Sequence, residues 1–79
     1  MEKEAARIIV GKNIIALRQM RKLSLNDFAE AIGITPGFLG LIERGRRGIT
    51  GSVLMSISEV FKISIDELIK AERPTDSKD

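Results

Sequence analysis

Apolar residues recur along this chain at three- and four-residue intervals, the spacing that places them on one face of a helix. Between residues 4 and 21, Ile8, Ile14, Ile15, Leu17 and Met20 follow this pattern, with Val10 nearby and no proline, and predict a first helix. Gly11 inside it is expected to weaken it by about 1 kcal/mol relative to alanine. Ile8 and Ile9 stand early in the stretch and suit either core padding or a partner surface. Ser24 followed by Asp27 predicts the next helix start: a hydroxyl to accept from a free N–H, then an acid in the electropositive first turn. That helix runs to about Ala31, buries Phe28, Ala29 and Ile32, and stops at Gly33, which tolerates a left-handed backbone. Ile34 bridges a tight turn and is expected to be buried. Thr35 then caps a third helix with Pro36 at its first position, where a missing N–H does no harm. Phe38, Leu39 and Ile42 point inward and Gly45 closes the helix, while Gly37 and Gly40 each weaken it by about 1 kcal/mol. Thr50 caps a fourth helix over about 51–61, with Val53, Leu54, Ile57, Val60 and Phe61 inward. Ser64-Ile65-Asp66-Glu67 reads as a capping box opening a fifth helix through about Ala71, with Leu68 and Ile69 apolar. Residues 73–79 read as a polar tail. No strand pattern or internal repeat competes, so the expected fold is all-α: five helices in a single domain over 1–72.

Composition narrows the chemistry. With 79 residues there is room for one domain, which buries only about 60% of its unfolded surface. The chain has no cysteine and no histidine, so disulfides, thiolate metal sites and the usual general base and zinc ligand are all missing. Asp66 and Glu67, the adjacent carboxylates, are explained by their place in a helix first turn. Ser24, Thr50 and Ser64 are explained as caps. An enzyme, a cofactor and a zinc or haem site are therefore not expected. Three phenylalanines and no tyrosine or tryptophan, in a chain 43% apolar, imply an aliphatic core. The net charge of +2 is small but uneven. Residues 5–47 carry eight basic side chains against three acidic ones, and residues 48–79 carry four against six. A basic first half suits a polyanion such as DNA. No apolar run approaches the ~18 residues needed to span a membrane. The start Met1-Glu2-Lys3-Glu4 lacks a secretory pattern, so a cytoplasmic location is expected.

The stretch Ser24–Gly45, two short helices and a tight turn followed by Arg44, Arg46 and Arg47, has the layout of a helix-turn-helix. The resemblance extends further: Arg18, Leu23-Ser24, Phe28-Ala29-Glu30, Gly33-Ile34-Thr35, Phe38-Leu39, Ile42-Glu43-Arg44-Gly45 and Ile63-Ser64-Ile65-Asp66-Glu67-Leu68 resemble the Cro/C1-type (XRE-type) regulators of bacteria and phages over about residues 10–69. That resemblance implies a lambda-repressor-like DNA-binding domain whose third helix, about 36–44, sits in the major groove, usually as a homodimer on a two-fold operator. Small members include restriction–modification controllers, phage repressors and antitoxins. The size, the N-terminal helical extension and Thr50 without a preceding proline look most like the controller group. Arg18 and Glu43 stand where several members form an ion pair, which would tie the first helix to the end of the third and could hold Arg18 near a phosphate.

Phosphate contacts position a protein on DNA, whereas base-edge contacts specify sequence. For phosphates the chain offers Arg44, Arg46 and Arg47 after the third helix, Thr35 at its N-terminus, and Lys12, Arg18, Arg21 and Lys22 on the first helix. For bases it offers little. The positions from which relatives read hold Pro36, Gly37, Gly40 and Leu41, none able to make bidentate hydrogen bonds. Leu25 stands where many relatives place a phosphate-binding glutamine. The expected DNA-facing set is Arg18, Ser24, Thr35, Pro36, Gly37, Phe38, Gly40, Leu41, Arg44, Arg46 and Arg47. Three readings of the bare face stay open. Leu41 and Pro36 can touch thymine methyls, specificity can come from DNA shape and groove-edge arginines, or the apolar face can bind a protein, as an antirepressor or antitoxin-like module would. Apolar residues left over from the core, Ile63, Ile65, Ile69 and Met55, with Ile8 as a further option, mark the expected dimer interface around the fourth and fifth helices.

Overall fold

The computed structural model describes residues 2–70 and contains five helices and no strand among them: α1 (Glu2–Met20), α2 (Leu25–Ile32), α3 (Pro36–Glu43), α4 (Gly51–Phe61) and α5 (Ile65–Ile69). The tail at 73–79 and the domain limit at 72 lie outside the described residues. Each N-terminal cap anticipated from the sequence forms. Backbone N–H groups of Asp27, Phe38, Val53 and Glu67 donate to the hydroxyls of Ser24, Thr35, Thr50 and Ser64 at 3.0, 3.1, 3.3 and 3.2 Å. The capping box at Ser64 is half made, because the Glu67 carboxylate turns to Lys70 Nζ at 3.3 Å instead of back to the cap. Helix α5 ends at Ile69, ahead of the expected Ala71.

The core is a single cluster built from all five helices: Val10, Ile14 and Leu17 of α1, Phe28, Ala29 and Ile32 of α2, Leu39 and Ile42 of α3, Val53, Ile57 and Phe61 of α4, and Leu68 of α5. Phe28 and Phe61 stack with ring centroids 4.6 Å apart. Arg21 at the end of α1 lies over Phe61, 5.4 Å from the ring centre, and donates to its carbonyl at 2.6 Å. Several expected inward residues are corrected. Val60 is 46% exposed, because Val53, Ile57 and Phe61, at four-residue intervals, occupy the core-facing row of α4. Phe38, Ile34 and Leu54 are half-buried at the rim of the cluster. Met20 is 74% exposed at the C-terminal end of α1.

Helix α1 packs on α3 and α5, α2 on α3 and α4, and α4 on α5. The crossing of α1 with α3 corrects the expectation for Gly11. A β-carbon there would stand 2.6 Å from the carbonyl oxygens of both Ile42 and Glu43, so this glycine is what lets α1 lie against the C-terminal end of α3. Helix α5, only five residues long, is held from outside. Asn13 Nδ2 donates to the carbonyls of Leu68 at 2.7 Å and Lys70 at 2.9 Å, occupying acceptors at the helix end.

Candidate nucleic-acid interface

Helices α2 and α3 are set by a turn with defined chemistry. Gly33 takes φ +79°, its N–H donates to Glu30 O at 3.2 Å, and the Ile34 N–H donates to Ala29 O at 3.0 Å. This is the Schellman pattern, which ends a helix while satisfying its last carbonyls. Helix α3 ends the same way at Gly45 (φ +76°), with Gly45 N–H on Ile42 O at 3.0 Å and Arg46 N–H on Leu41 O at 2.9 Å. The chain is thereby turned away directly after Arg44. Ile8 closes over that turn: a β-carbon on Gly45 would meet Ile8 Cγ1 at 2.9 Å, although Ile8 itself stays 46% exposed.

Leu39 and Ile42 anchor the inner face of α3. On the opposite side, Gly37, Gly40, Leu41 and Arg44 share an outward stripe, being three or four residues apart. Pro36, Gly37 and Arg44 are exposed and Leu41 is half-buried. Gly37 has open space around it. Gly40 does not, which corrects its reading as a bare position: it is buried, and Arg44 Nη1 lies 3.4 Å from where its β-carbon would stand. Arg47 also turns back toward the helix, its guanidinium 5.4 Å from the centre of the Phe38 ring. Arg46 is exposed between them. Thr35 is exposed beside the α3 N-terminus, its hydroxyl oxygen accepting from Phe38 N–H.

The remaining basic candidates divide by what already holds them. Arg18 is bound on two sides: Nε donates to Glu43 Oε2 at 2.7 Å, Nη2 to Oε1 at 3.2 Å, and Nη1 to Leu23 O at 3.1 Å. The hydrogen bonds that Arg18 donates to Glu43 raise the Arg18 pKa above its ordinary value, outweighing the opposing effect of partial burial, and the carboxylate charge adds to the rise. Its donors are thus committed to joining α1, the α1–α2 turn and α3. Arg21 is likewise committed to Phe61. Lys12 and Lys22 are exposed. Ser24 is exposed, with its hydroxyl engaged as the α2 cap. Leu25 packs against the core rim and presents no polar group. Arg7 is a basic residue that the sequence pattern did not single out. Its Cδ lies 3.7 Å from where a Gly48 β-carbon would stand, which brings it beside the loop that follows α3. Its Nε is buried without a hydrogen-bond partner. Only the chain's return past the start of α1 makes that neighbour visible.

Of the residues expected at a dimer surface, Met55 (54%), Ile69 (49%) and Ile65 (38%) are exposed and belong to the paired helices α4 and α5. Val60 joins them. Ile63 instead packs against the core.

Known proteins share this architecture. The sequence profile described as helix-turn-helix matches residues 14–68. A protein of Bacillus subtilis (strain 168), described as the uncharacterized HTH-type transcriptional regulator YazB, is 37% identical over 65 residues, spanning 82% of this chain and 94% of that protein. The control protein C.SmaI of Serratia marcescens is 28% identical over 61 residues, spanning 77% of this chain and 73% of its own. Among solved structures, the restriction-modification controller protein C.AhdI from Aeromonas hydrophila aligns with a TM-score of 0.79 at 24% identity, over 86% of this chain and 99% of that one. The clp gene regulator ClgR from C. glutamicum aligns with a TM-score of 0.73 at 27% identity, over 80% and 82%.

Proposed function

The chain belongs to the Cro/C1-type helix-turn-helix family of DNA-binding transcriptional regulators, and from that premise we propose that it binds a specific double-stranded operator as a homodimer, with α3 of each subunit in the major groove. The observation that carries this reading is the outer side of α3. Its exposed N-terminal turn is free of acidic side chains, Arg46 stands exposed past its other end, and Arg47 turns back along it with its guanidinium 5.4 Å from the Phe38 ring centre. An electropositive helix N-terminus and a basic far end together suit the two phosphate backbones that border a groove. The membership also favours regulation over catalysis, since the family is one of regulators rather than enzymes. The two-fold operator follows from size: one such domain reads about half a site, so a dimer with half-sites roughly 34–36 Å apart supplies both affinity and symmetry.

A protein partner on the same face has less to hold. Among the described residues, the large apolar side chains that are well exposed lie on α1, α4 and α5, and none is on α3. Binding to duplexes selected from a random DNA pool, measured across salt concentrations, tests the proposal. Log affinity is expected to fall linearly with log salt, by about 0.9 for each phosphate contacted. A flat salt response would show that cation–phosphate contacts do not drive binding, and would sink it.

A further inference from the structure

We propose that Arg44, the residue that caps the C-terminal end of α3, carries the base-reading side chain of this surface, directed at the major-groove edge of a guanine, and that Gly40 is kept open to receive it. The inference rests on the DNA-binding reading above and assigns one side chain within it.

Three observations carry it. First, Arg44 lies on the outward stripe with Gly37, Gly40 and Leu41, and not on the flank of the helix. It is the one member of that stripe with a charged, hydrogen-bonding side chain. Second, the side chain runs back along the helix rather than away from it. Helical side chains lean toward the N-terminus, and an arginine spans about one 5.4 Å turn. Here this places Nη1 3.4 Å and Nη2 4.0 Å from the position of a Gly40 β-carbon. The backbone at Gly40 is ordinary helix, so nothing in its conformation calls for glycine. What the missing side chain supplies is the bed on which the guanidinium lies. Third, the donors are unspent. Arg18 gives its hydrogen bonds to Glu43 and Leu23, and Arg21 to Phe61, whereas the exposed Arg44 side chain makes no hydrogen bond or ion pair among the described residues.

A planar guanidinium on the surface that enters the groove matches the paired O6 and N7 acceptors of guanine. Arg46 and Arg47, in the loop beyond the turn at Gly45, would meet the backbone instead. The bare look of positions 37 and 40 is then a consequence of reading from four residues further on.

The test is selection of bound sequences from random duplex DNA with the wild-type chain, Arg44→Lys, Arg44→Ala and Gly40→Gln. Circular dichroism first establishes that each variant is folded. The wild type is expected to enrich guanine at one position or more per half-site, and changing that guanine should weaken its binding about tenfold or more. Arg44→Ala should lose the preference there and keep it elsewhere. Arg44→Lys should keep much of the affinity but relax the same position, because a point charge cannot make the forked contact. Gly40→Gln should relax it too, by displacing the guanidinium. If Arg44→Ala instead weakens binding to all sequences alike, lowers the salt slope by about one and leaves every base preference intact, Arg44 is a phosphate contact and the assignment is overturned. If the wild type enriches no sequence, sequence-specific DNA binding itself fails, and the assignment falls with it.

Discussion

At Gly11 a β-carbon would overlap two backbone carbonyl oxygens at 2.6 Å, and backbone cannot swing aside as a side-chain end can. At Gly37 the same added carbon would meet nothing within 4 Å. Both residues are helical glycines, and helix propensity alone would improve each by about 1 kcal/mol on conversion to alanine. Packing separates them. Gly11→Ala is expected to destabilise the domain by about 2 kcal/mol, since overpacking a close helix crossing typically costs about 1–3 kcal/mol and outweighs the propensity gain. Gly37→Ala is expected to leave stability unchanged or raise it by up to about 1 kcal/mol. Chemical denaturation of the pair checks the contrast, and equal effects at the two positions would contradict it. The fold thus gives no reason for glycine at 37, where the proposed DNA surface does: it admits a close backbone approach.

At the scale of elements, the shared apolar core holds the helices together, and a few long-range polar ties fix their ends. Asn13 closes α5, Arg21 joins α1 to α4, and the Arg18–Glu43 pair joins α1 to α3. The last is the most enclosed, with its side chains 19% and 8% exposed. Removing the carboxylate charge leaves a partly buried guanidinium with a poorer acceptor. Glu43→Gln is expected to cost on the order of 2 kcal/mol, or roughly 10 °C in Tm for a domain of this size. It should also weaken DNA binding, because the end of α3 is what the pair positions. A thermal melt and a binding titration that both match wild type would refute this role. Termination of the helices shows a second feature: α1 and α4 are followed by Lys22 (φ 58°) and Lys62 (φ 56°) in the left-handed conformation, where α2 and α3 use glycine. The wider backbone hydrogen bond forms at both, from Leu23 N–H to Arg18 O and from Ile63 N–H to Ser58 O, while the inner one runs from Lys22 N–H to Gln19 O at the end of α1 and is replaced at the end of α4 by Lys62 N–H to Ser58 O. No glycine marks these ends in the sequence, yet both helices close through a left-handed residue.

For the whole molecule, the large apolar residues left exposed outside the single core lie on α1 (Ile8, Met20) and on the mutually packed helices α4 (Met55, Val60) and α5 (Ile65, Ile69). Such a small domain has little core to spare, and covering those of α4 and α5 with a second copy suits an operator-binding dimer. Ile69, half exposed, can accept a charge without disturbing the core. Ile69→Glu is therefore expected to keep the wild-type circular dichroism while shifting sedimentation from dimer to monomer and weakening operator binding. A wild-type chain that sediments as a monomer at tens of micromolar would remove the basis for this interface.

Much of this protein is written locally. Serine or threonine caps, the glycines at 33 and 45 and the rows of apolar residues depend on neighbours within a turn or two, so the sequence determined five helices, their starts, most of the core and the helix-turn-helix layout. Local pattern stops deciding where the neighbour that matters is distant in the chain. Gly11 answers to carbonyls of Ile42 and Glu43, Arg7 to the loop at Gly48, Asn13 to the end of α5, and Val60 to the row of α4 that the other helices cover. The face of α3 shows the same division most clearly. Read position by position, Gly37 and Gly40 leave it bare. In three dimensions the helix brings Arg44 back over Gly40, because a side chain one turn long covers the residue one turn behind it. Composition and order determined which groups exist, while only the tertiary structure decided which of them remain free to meet a partner, since that depends on what the rest of the chain has already claimed.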